Sequence, residues 1–147
     1  MISSKSYKAL LATTAVVGLL IFFWGLGSQN LLSLNEGRRA LVIKEMFSAG
    51  HWLVPTLNGG LYLTKPPLFY WLALVFSNIV GSFNEWTVRL PSALSALVVV
   101  GVTYRYASKK FGKLAALFSV QILLMNLGFA MLARRSEIEM LLTALCF

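Results

Sequence analysis

The sequence predicts an all-α protein that crosses a membrane several times. Of its 147 residues, 58% are hydrophobic and only 12% are charged, about half of the ~25% that soluble domains carry. A soluble domain of this length could not bury so much apolar surface, because small domains have a high ratio of surface to volume. The 13% of aromatic residues, with so few charges, excludes a disordered chain.

The charged residues are mostly basic, and all five acids are glutamates. Thirteen Lys and Arg residues give a formal net charge of +8. In a membrane protein this excess indicates cytoplasmic loop charges and lipid phosphates as partners, and we expect no nucleic acid. The single cysteine, Cys146, excludes an internal disulfide. With one histidine, a conventional zinc site is excluded, and we expect His51 to be a hydrogen-bonded loop residue.

The first predicted span covers residues 9–27, since about 20 apolar residues cross the hydrocarbon core of a bilayer. Lys5 and Lys8 precede this run, and we expect an uncleaved signal anchor with its N-terminus in the cytoplasm. A cleaved signal peptide is the alternative, because a charged start before an apolar run is typical of one. The run is longer than an ordinary signal peptide core, and residues 27–30 lack a cleavage pattern of small residues.

Further spans are predicted at residues 86–107 and 114–133, and residues 138–147 begin another. The last run is too short to cross, so we expect the chain to be either a fragment or a truncated product. The remaining apolar segment, residues 68–80, is of marginal length for a span and follows two prolines.

The basic loop of Lys109, Lys110 and Lys113 decides the position of segment 68–80. The positive-inside rule places this basic loop in the cytoplasm, on the same side as the N-terminus. The loop can lie there only if segment 68–80 does not cross the membrane. We therefore expect residues 68–80 to form a juxtamembrane helix in the outer interface. Its predicted interfacial anchors are Phe69, Tyr70 and Trp71.

The outer loop, residues 28–84, also contains a predicted amphipathic helix that starts with Asn35 as its N-cap and ends at Gly50. Glu36 lies where an acid interacts favourably with the helix dipole. The simplest interpretation is a helix on the membrane surface in which Asn35 and Glu36 only cap the first turn. Lys65, directly before two prolines, either binds a phosphate at the start of the next helix or anchors that helix at the membrane surface.

Charged residues at the outer rim are the other functional candidates, because ionisable groups at membrane depth indicate function by default. Arg89 snorkels outward, pairs with Glu85, four residues upstream, or binds an anion. Arg134, Glu137 and Glu139 crowd the turn between two membrane helices. A solvated loop with internal ion pairs is the alternative interpretation of this turn.

Six short motifs follow one another along the chain. They are Asn-Glu-Gly-Arg-Arg-Ala at 35–40, Gly-His-Trp-Leu-Val-Pro at 50–55, Leu-Asn-Gly at 57–59, Lys-Pro-Pro-Leu-Phe-Tyr-Trp at 65–71, Arg-Leu-Pro-Ser-Ala at 89–93 and Ala-Arg-Arg-Ser-Glu-Ile-Glu-Met at 133–140. In order and spacing they resemble the N-terminal part of the bacterial protein-mannosyltransferase and aminoarabinose-transferase superfamily.

The resemblance implies a GT-C fold and a membrane glycosyltransferase, either a hexosyl- or a pentosyltransferase. Such enzymes take a sugar from a polyprenyl-phosphate donor and transfer it to a lipid, glycan or protein acceptor. For this chain it implies a multi-pass protein of the inner (plasma) membrane with its active face on the periplasmic or extracellular side. Family members have several times more spans, so we expect the 147-residue chain alone to be inactive.

The resemblance also implies roles for individual acids. The family's first catalytic acid lies at the start of the first outer helix, usually as Asp-Glu, where this chain has Asn35 and Glu36. Asparagine cannot act as a base, so the role would fall to Glu36. The second family acid matches Glu139, with Glu137 as a nearby alternative.

Basic positions and the cofactor follow in the same way. Lys65 and Arg38 match positions associated with the donor phosphate, and Arg89 and Arg134 are further candidates at the same face. Relatives that place a Glu before Lys-Pro-Pro use it as a metal ligand. Thr64 stands here instead, which weakens the case for a bound metal. The cofactor is unknown, with a divalent metal ion as the candidate, and no metal ligand is assigned.

Two other functions fit the composition. The first is a non-catalytic membrane protein whose basic outer rim binds anionic lipids, and the second is a transport subunit. The order of the motifs favours the transferase, whereas Asn35 and the early end of the sequence favour the non-catalytic protein.

Overall fold

The computed structural model describes residues 3–28, 30–31, 33–50 and 52–147, and His51, with its predicted role, lies outside them. These residues form helices and one short hairpin, which confirms the all-α prediction. In chain order the elements are α1 (Ser4–Phe23), α2 (Leu34–Ala49), β1 (Thr56–Leu57), β2 (Gly60–Leu61), α3 (Leu68–Val80), α4 (Glu85–Phe111), α5 (Lys113–Met125), α6 (Leu127–Arg134) and α7 (Ile138–Cys146). The two strands pair antiparallel, Thr56 with Leu61 and Leu57 with Gly60.

Two helices of the described residues, α1 and α4, are long and apolar enough to cross a membrane. The predicted span at residues 114–133 is not one continuous helix, because α5 and α6 are bent by 69° relative to each other. Asn126 causes the break: its backbone is extended (ψ 111°) and its side chain accepts a hydrogen bond from the Phe129 N–H at 2.9 Å. An asparagine thus ends one helix and caps the next.

The first turn of α2 differs from the prediction by two residues. Ser33, not Asn35, is the N-cap, and its hydroxyl accepts from the Glu36 N–H at 3.0 Å. Asn35 therefore lies inside the first turn, with its side chain exposed. Gly50 ends the helix as predicted, in the left-handed conformation (φ 66°) that glycine adopts without steric cost.

The short helix α3 packs its aromatic residues inward. Phe69 and Tyr70 are fully buried, so the prediction that they anchor the helix in the interface is wrong. They lie in a core formed with α2, the start of α4 and α7. Trp71 is exposed, and its indole N–H donates to the Trp52 carbonyl at 2.6 Å.

A second apolar core joins the spanning helices. It contains Phe22 of α1, Ala93 of α4, Leu124 of α5 and Met140 of α7. The N-terminal halves of α4 and α7 contribute to both cores. Arg89, Glu137 and Glu139 lie at or near the starts of these two helices.

Candidate active site

The carboxylate of Glu36 is buried where α2, α4 and the α6–α7 turn meet. Its Oε1 accepts from Arg89 Nε at 2.9 Å and from the Ser136 backbone N–H at 3.1 Å. The exposed fraction is 1% for Glu36 and 3% for Arg89. Arg89 also donates to the carbonyls of Leu26, at 2.6 Å, and Asn30, at 3.1 Å. We call Glu36 and Arg89 the buried pair.

The predicted pairing of Arg89 with Glu85 is therefore wrong. Arg89 is buried against α2, where Glu36 supplies its carboxylate, whereas Glu85 stands in the first turn of α4. A buried guanidinium needs an ionic partner and further hydrogen bonds to offset its desolvation. Glu36 supplies the ionic partner of Arg89, and the two backbone carbonyls supply the further hydrogen bonds.

A second set of charges lies beside the buried pair, centred on Arg39. Arg39 Nη1 forms an ion pair with Glu137 and also donates to the Ser136 carbonyl at 3.1 Å. Its Nη2 lies 3.6 Å from Glu139 Oε2. The side chain of Glu137 is 12% exposed and that of Glu139 is 49% exposed. Arg39 thus contacts one largely buried acid, Glu137, and one half-exposed acid, Glu139.

Two predicted donor-binding residues reach the same region from other segments. Lys65 lies close enough to Glu139 for an electrostatic interaction. Arg38 lies beside the hydroxyl of Tyr62. Both basic side chains are exposed. We define the outer cluster as six residues: Arg38, Arg39, Tyr62, Lys65, Glu137 and Glu139.

The environment changes the pKa of four groups in and around this cluster. The backbone N–H of Glu139 and then Arg39 lower the pKa of the Glu139 carboxyl, against the effect of burial. Burial raises the pKa of Glu137, an effect that Arg39 opposes and Glu139 reinforces. The Thr64 side chain and then Arg38 lower the pKa of the Tyr62 hydroxyl, against the effect of burial. Burial raises the pKa of Tyr70 to about 12.

Arg134 lies in a different place from Lys65 and Arg38. Its Nη1 donates to the Ile21 carbonyl at 2.6 Å and its Nη2 to the Trp24 carbonyl at 2.8 Å. Cations are stabilised at such carbonyls, at the negative end of a helix dipole. Arg134 also lines a cavity of about 190 Å³ together with the buried pair. The structure therefore separates Arg89 and Arg134 from the other predicted phosphate ligands.

The described residues do not form a metal site by themselves. Within the residues that the structure describes, no three His, Cys, Asp or Glu side chains come together. Thr64 places a hydroxyl beside Tyr62 where a carboxylate would be needed.

Sequence reasoning missed two sets of contacts, those of Arg39 with Glu137 and Glu139 and that of Glu36 with Arg89. Arg39 is 5% exposed and organises both acids. The only available signal was its place in the motif at residues 35–40, three residues after Glu36, which puts both side chains on one face of a helix.

Comparison with known proteins identifies the family. Residues 64–147 match the family described as dolichyl-phosphate-mannose-protein mannosyltransferase. The chain belongs to this family. A match of more than half of the chain supports the assignment, and the predicted relationship to GT-C glycosyltransferases is confirmed.

This chain is similar to several longer proteins, among them aminoarabinose transferases. It is 33% identical over 111 residues to the undecaprenyl phosphate-alpha-4-amino-4-deoxy-L-arabinose arabinosyl transferase of Pseudomonas savastanoi pv. phaseolicola, an overlap of 76% of this chain and 21% of the relative. It is 34% identical to an uncharacterised protein of Aquifex aeolicus, covering 82% of this chain and 24% of that protein.

A solved structure has the same fold. The crystal structure of ArnT from Cupriavidus metallidurans bound to undecaprenyl phosphate matches with a TM-score of 0.87 and 31% identity, over 95% of this chain and 26% of that one. The apo structure matches with a TM-score of 0.83. The predicted multi-spanning GT-C membrane fold is thus confirmed, and the chain spans about a quarter of the solved protein.

Proposed function

We propose that the chain is the N-terminal part of a membrane glycosyltransferase, with the outer cluster as part of its active site. In this proposal the enzyme moves a sugar from a polyprenyl-phosphate donor to a lipid, glycan or protein acceptor at the outer face of the inner membrane. The observation that supports it is the outer cluster itself, where the buried Arg39 contacts Glu137 and Glu139 and the exposed Lys65 lies close enough to Glu139 for an electrostatic interaction. The similarity to a transferase crystallised with undecaprenyl phosphate supports the donor class.

Lys65 and Arg38 bind the donor phosphate in this proposal. Both are exposed, and among the described residues neither lies within ion-pair distance of a carboxylate. A lipid phosphate at the outer interface is the natural partner for two such cations, because charge-assisted hydrogen bonds to phosphate are strong. The same cations stabilise the negative charge that remains on the phosphate when the sugar departs.

Glu139 meets the requirements of a general base better than the other two predicted acids. Half of its side chain is exposed, and its own backbone N–H, followed by Arg39 and Lys65, lowers its pKa against the effect of burial. Glu137 is largely buried and paired with Arg39. Glu36 is almost fully buried, and one of its carboxylate oxygens is occupied by Arg89 and Ser136. A base must reach the acceptor's proton, and Glu139 is the most accessible of the three.

The reaction is then a single displacement. Glu139 accepts the proton of the acceptor hydroxyl or amine, while the acceptor atom bonds to the anomeric carbon of the sugar. The bond between that carbon and the phosphate oxygen breaks, and its electron pair leaves with the phosphate against Lys65 and Arg38. In-line attack of this kind inverts the anomeric configuration.

A chimeric enzyme tests the proposal. The N-terminal quarter of the Cupriavidus metallidurans transferase is replaced by this chain, and sugar transfer from the undecaprenyl phosphate donor is measured in proteoliposomes. Because a positioned base contributes about 100-fold or more to the rate, we expect Glu139→Gln to lower transfer by at least that factor. Glu85→Gln, an acid outside the outer cluster, serves as the matched control.

The results separate the transferase from the lipid-binding alternative. Transfer by the chimera, with selective loss in Glu139→Gln, supports the proposal. A chimera that folds and binds anionic lipids without preference for undecaprenyl phosphate, and transfers no sugar, would favour the non-catalytic membrane protein.

A further inference from the structure

An apolar groove runs along the outside of three membrane helices, away from the outer cluster. It has a volume of about 290 Å³ and lies between α1, α4 and α5. Its wall includes Leu11 and Leu19 of α1, Val100 of α4, and Leu117 and Leu124 of α5. Nearly all of its exposed lining is carbon, so an apolar chain is the only kind of ligand that its interior can accept favourably.

Gly101 keeps the groove open at its middle. This residue lies in α4 and lines the groove. A Cβ added at this position would meet no atom within 4 Å. A larger side chain at position 101 would therefore enter empty space in the groove rather than another helix.

The end of the groove farthest from the outer cluster has a polar rim. Tyr104 lines the groove there, and its hydroxyl lies 2.6 Å from the hydroxyl of Tyr7. The Tyr7 hydroxyl also donates to the Lys113 carbonyl at 3.4 Å. These contacts join the start of α1, the last third of α4 and the start of α5 into one rim.

Two exposed lysines stand on this rim, directly beyond the groove. Lys8 precedes Leu11 by three residues and Lys113 precedes Leu117 by four, so each lies one helical turn from a side chain that lines the groove. Neither forms an ion pair with an acid of the described residues. No Asp or Glu occurs anywhere in residues 1–35 or 86–136. The rim is therefore strongly positive, and no neighbouring acid neutralises it.

We propose that this groove binds one acyl chain of an anionic phospholipid, whose phosphate lies against Lys8 and Lys113. The apolar interior matches the acyl chain, and the charge of the rim matches the headgroup, as in basic pockets between membrane helices that bind anionic lipids. By the positive-inside rule this end faces the cytoplasmic leaflet. The lipid site is thus on the opposite side of the membrane from the outer cluster and independent of the donor.

Lipid titrations of the purified 147-residue chain test this site. Dioleoyl phosphatidylglycerol and, separately, dioleoyl phosphatidylcholine are added in detergent, and bound lipid is counted by native mass spectrometry. We expect saturable binding of one phosphatidylglycerol and much weaker binding of the zwitterionic lipid. Because a lysine near a membrane surface contributes about fivefold to anionic lipid affinity, the double variant Lys8→Gln, Lys113→Gln should lose about 25-fold.

Matched variants separate a built site from diffuse attraction. Lys5→Gln with Lys109→Gln removes two cations from the same end and should change affinity little. Gly101→Leu should block the acyl chain, whereas Val98→Leu, on an exposed face of the same helix, should not. Circular dichroism confirms the helicity of each variant. The lysine variants leave the groove walls unchanged, so they test the site even if Gly101→Leu does not fold.

Three results would overturn the proposal. Equal losses in both lysine pairs would show diffuse surface charge rather than a site. Equal binding of the two lipids would exclude headgroup recognition. Displacement of phosphatidylglycerol by undecaprenyl phosphate, with both lost in Gly101→Leu, would assign the groove to the donor's polyprenyl chain instead.

Discussion

Arg89 Nε donates to Glu36 Oε1 at 2.9 Å, across 53 positions of the chain and between two side chains that are almost fully buried. The Ser136 backbone joins this pair to the outer cluster, because its N–H donates to Glu36 and its carbonyl accepts from Arg39. The buried pair therefore sets the position of α2 relative to α4 and to the turn that carries Glu137. We interpret it as a positioning element for the acids that would act on substrate.

The first prediction concerns this buried pair. Removing one partner of a buried ion pair leaves the other charge without compensation, which costs about 3–5 kcal/mol. We expect Glu36→Gln and Arg89→Gln each to lower the free energy of unfolding by about that amount, measured by denaturant titration in detergent. Glu85→Gln, outside the pair, should change it little. If Glu36→Gln kept full stability but lost transfer in the chimera, the catalytic role predicted from the sequence would stand.

The buried pair also shows where prediction from the sequence ends. Apolar runs placed the helices within a few residues, because burial in a bilayer depends on hydrophobicity summed over about 20 positions. The partner of Arg89 depends on which helices pack together. Glu85 is a suitable partner by local spacing, but Glu36 is the one in contact.

The roles of individual residues at helix ends and on helix faces were predicted less well, because they also depend on which segments pack together. Ser33 and Asn35 are both good N-caps, and only the path of the preceding chain decides between them. Phe69 and Tyr70 suit a membrane interface as well as a core, and the packing of α2 and α7 against α3 buries them. The motifs predicted Lys65, Arg38, Glu137 and Glu139 as site residues. In the structure all four lie in the outer cluster.

The second prediction concerns the donor phosphate. Lys65→Ala should weaken binding of undecaprenyl phosphate by about 1.5–3 kcal/mol, the range for hydrogen bonds to charged groups, which is about 10- to 150-fold in affinity. Arg38→Ala should act in the same direction. Binding to the purified chain is measured by native mass spectrometry. Lys44→Ala, an exposed cation on the same helix as Arg38, is the matched control and should leave affinity unchanged.

Undecaprenol, which lacks the phosphate, completes this test. It should bind weakly to the wild-type chain and equally weakly to Lys65→Ala, because the lost interaction is with the phosphate. If Lys65→Ala bound undecaprenyl phosphate as tightly as the wild type, Lys65 would serve only to anchor α3 at the membrane surface.

The third prediction concerns topology. Because the loop after α4 is basic, we expect it to be cytoplasmic with the N-terminus, and the turn between α3 and α4 to be outside. After Cys146→Ser removes the single cysteine, Lys110→Cys and Ser82→Cys each supply one accessible thiol. In intact cells a membrane-impermeant maleimide should label Ser82→Cys and not Lys110→Cys. Labelling of Lys110→Cys from outside would mean that α3 crosses the membrane.

The last prediction concerns Asn35, which stands where the resemblance implies a catalytic acid. Asn35 lies in the first turn of α2 with its side chain exposed, whereas its neighbour Glu36 is buried against Arg89. An aspartate at position 35 would be ionised, because the positive end of the helix dipole stabilises a carboxylate there. It would also be accessible, as a base must be.

We therefore expect Asn35→Asp to raise sugar transfer by the chimera, measured as turnover at saturating donor, without changing the affinity for undecaprenyl phosphate. Asn35→Ser, which is small and polar but carries no charge, is the control and should not raise transfer. An increase in an otherwise inactive chimera would show that Glu139 and Glu36 are insufficient and that this chain derives from an enzyme whose essential acid it has lost. Unchanged transfer in an active chimera would leave Glu139 as the base and make the acid at position 35 dispensable in this protein.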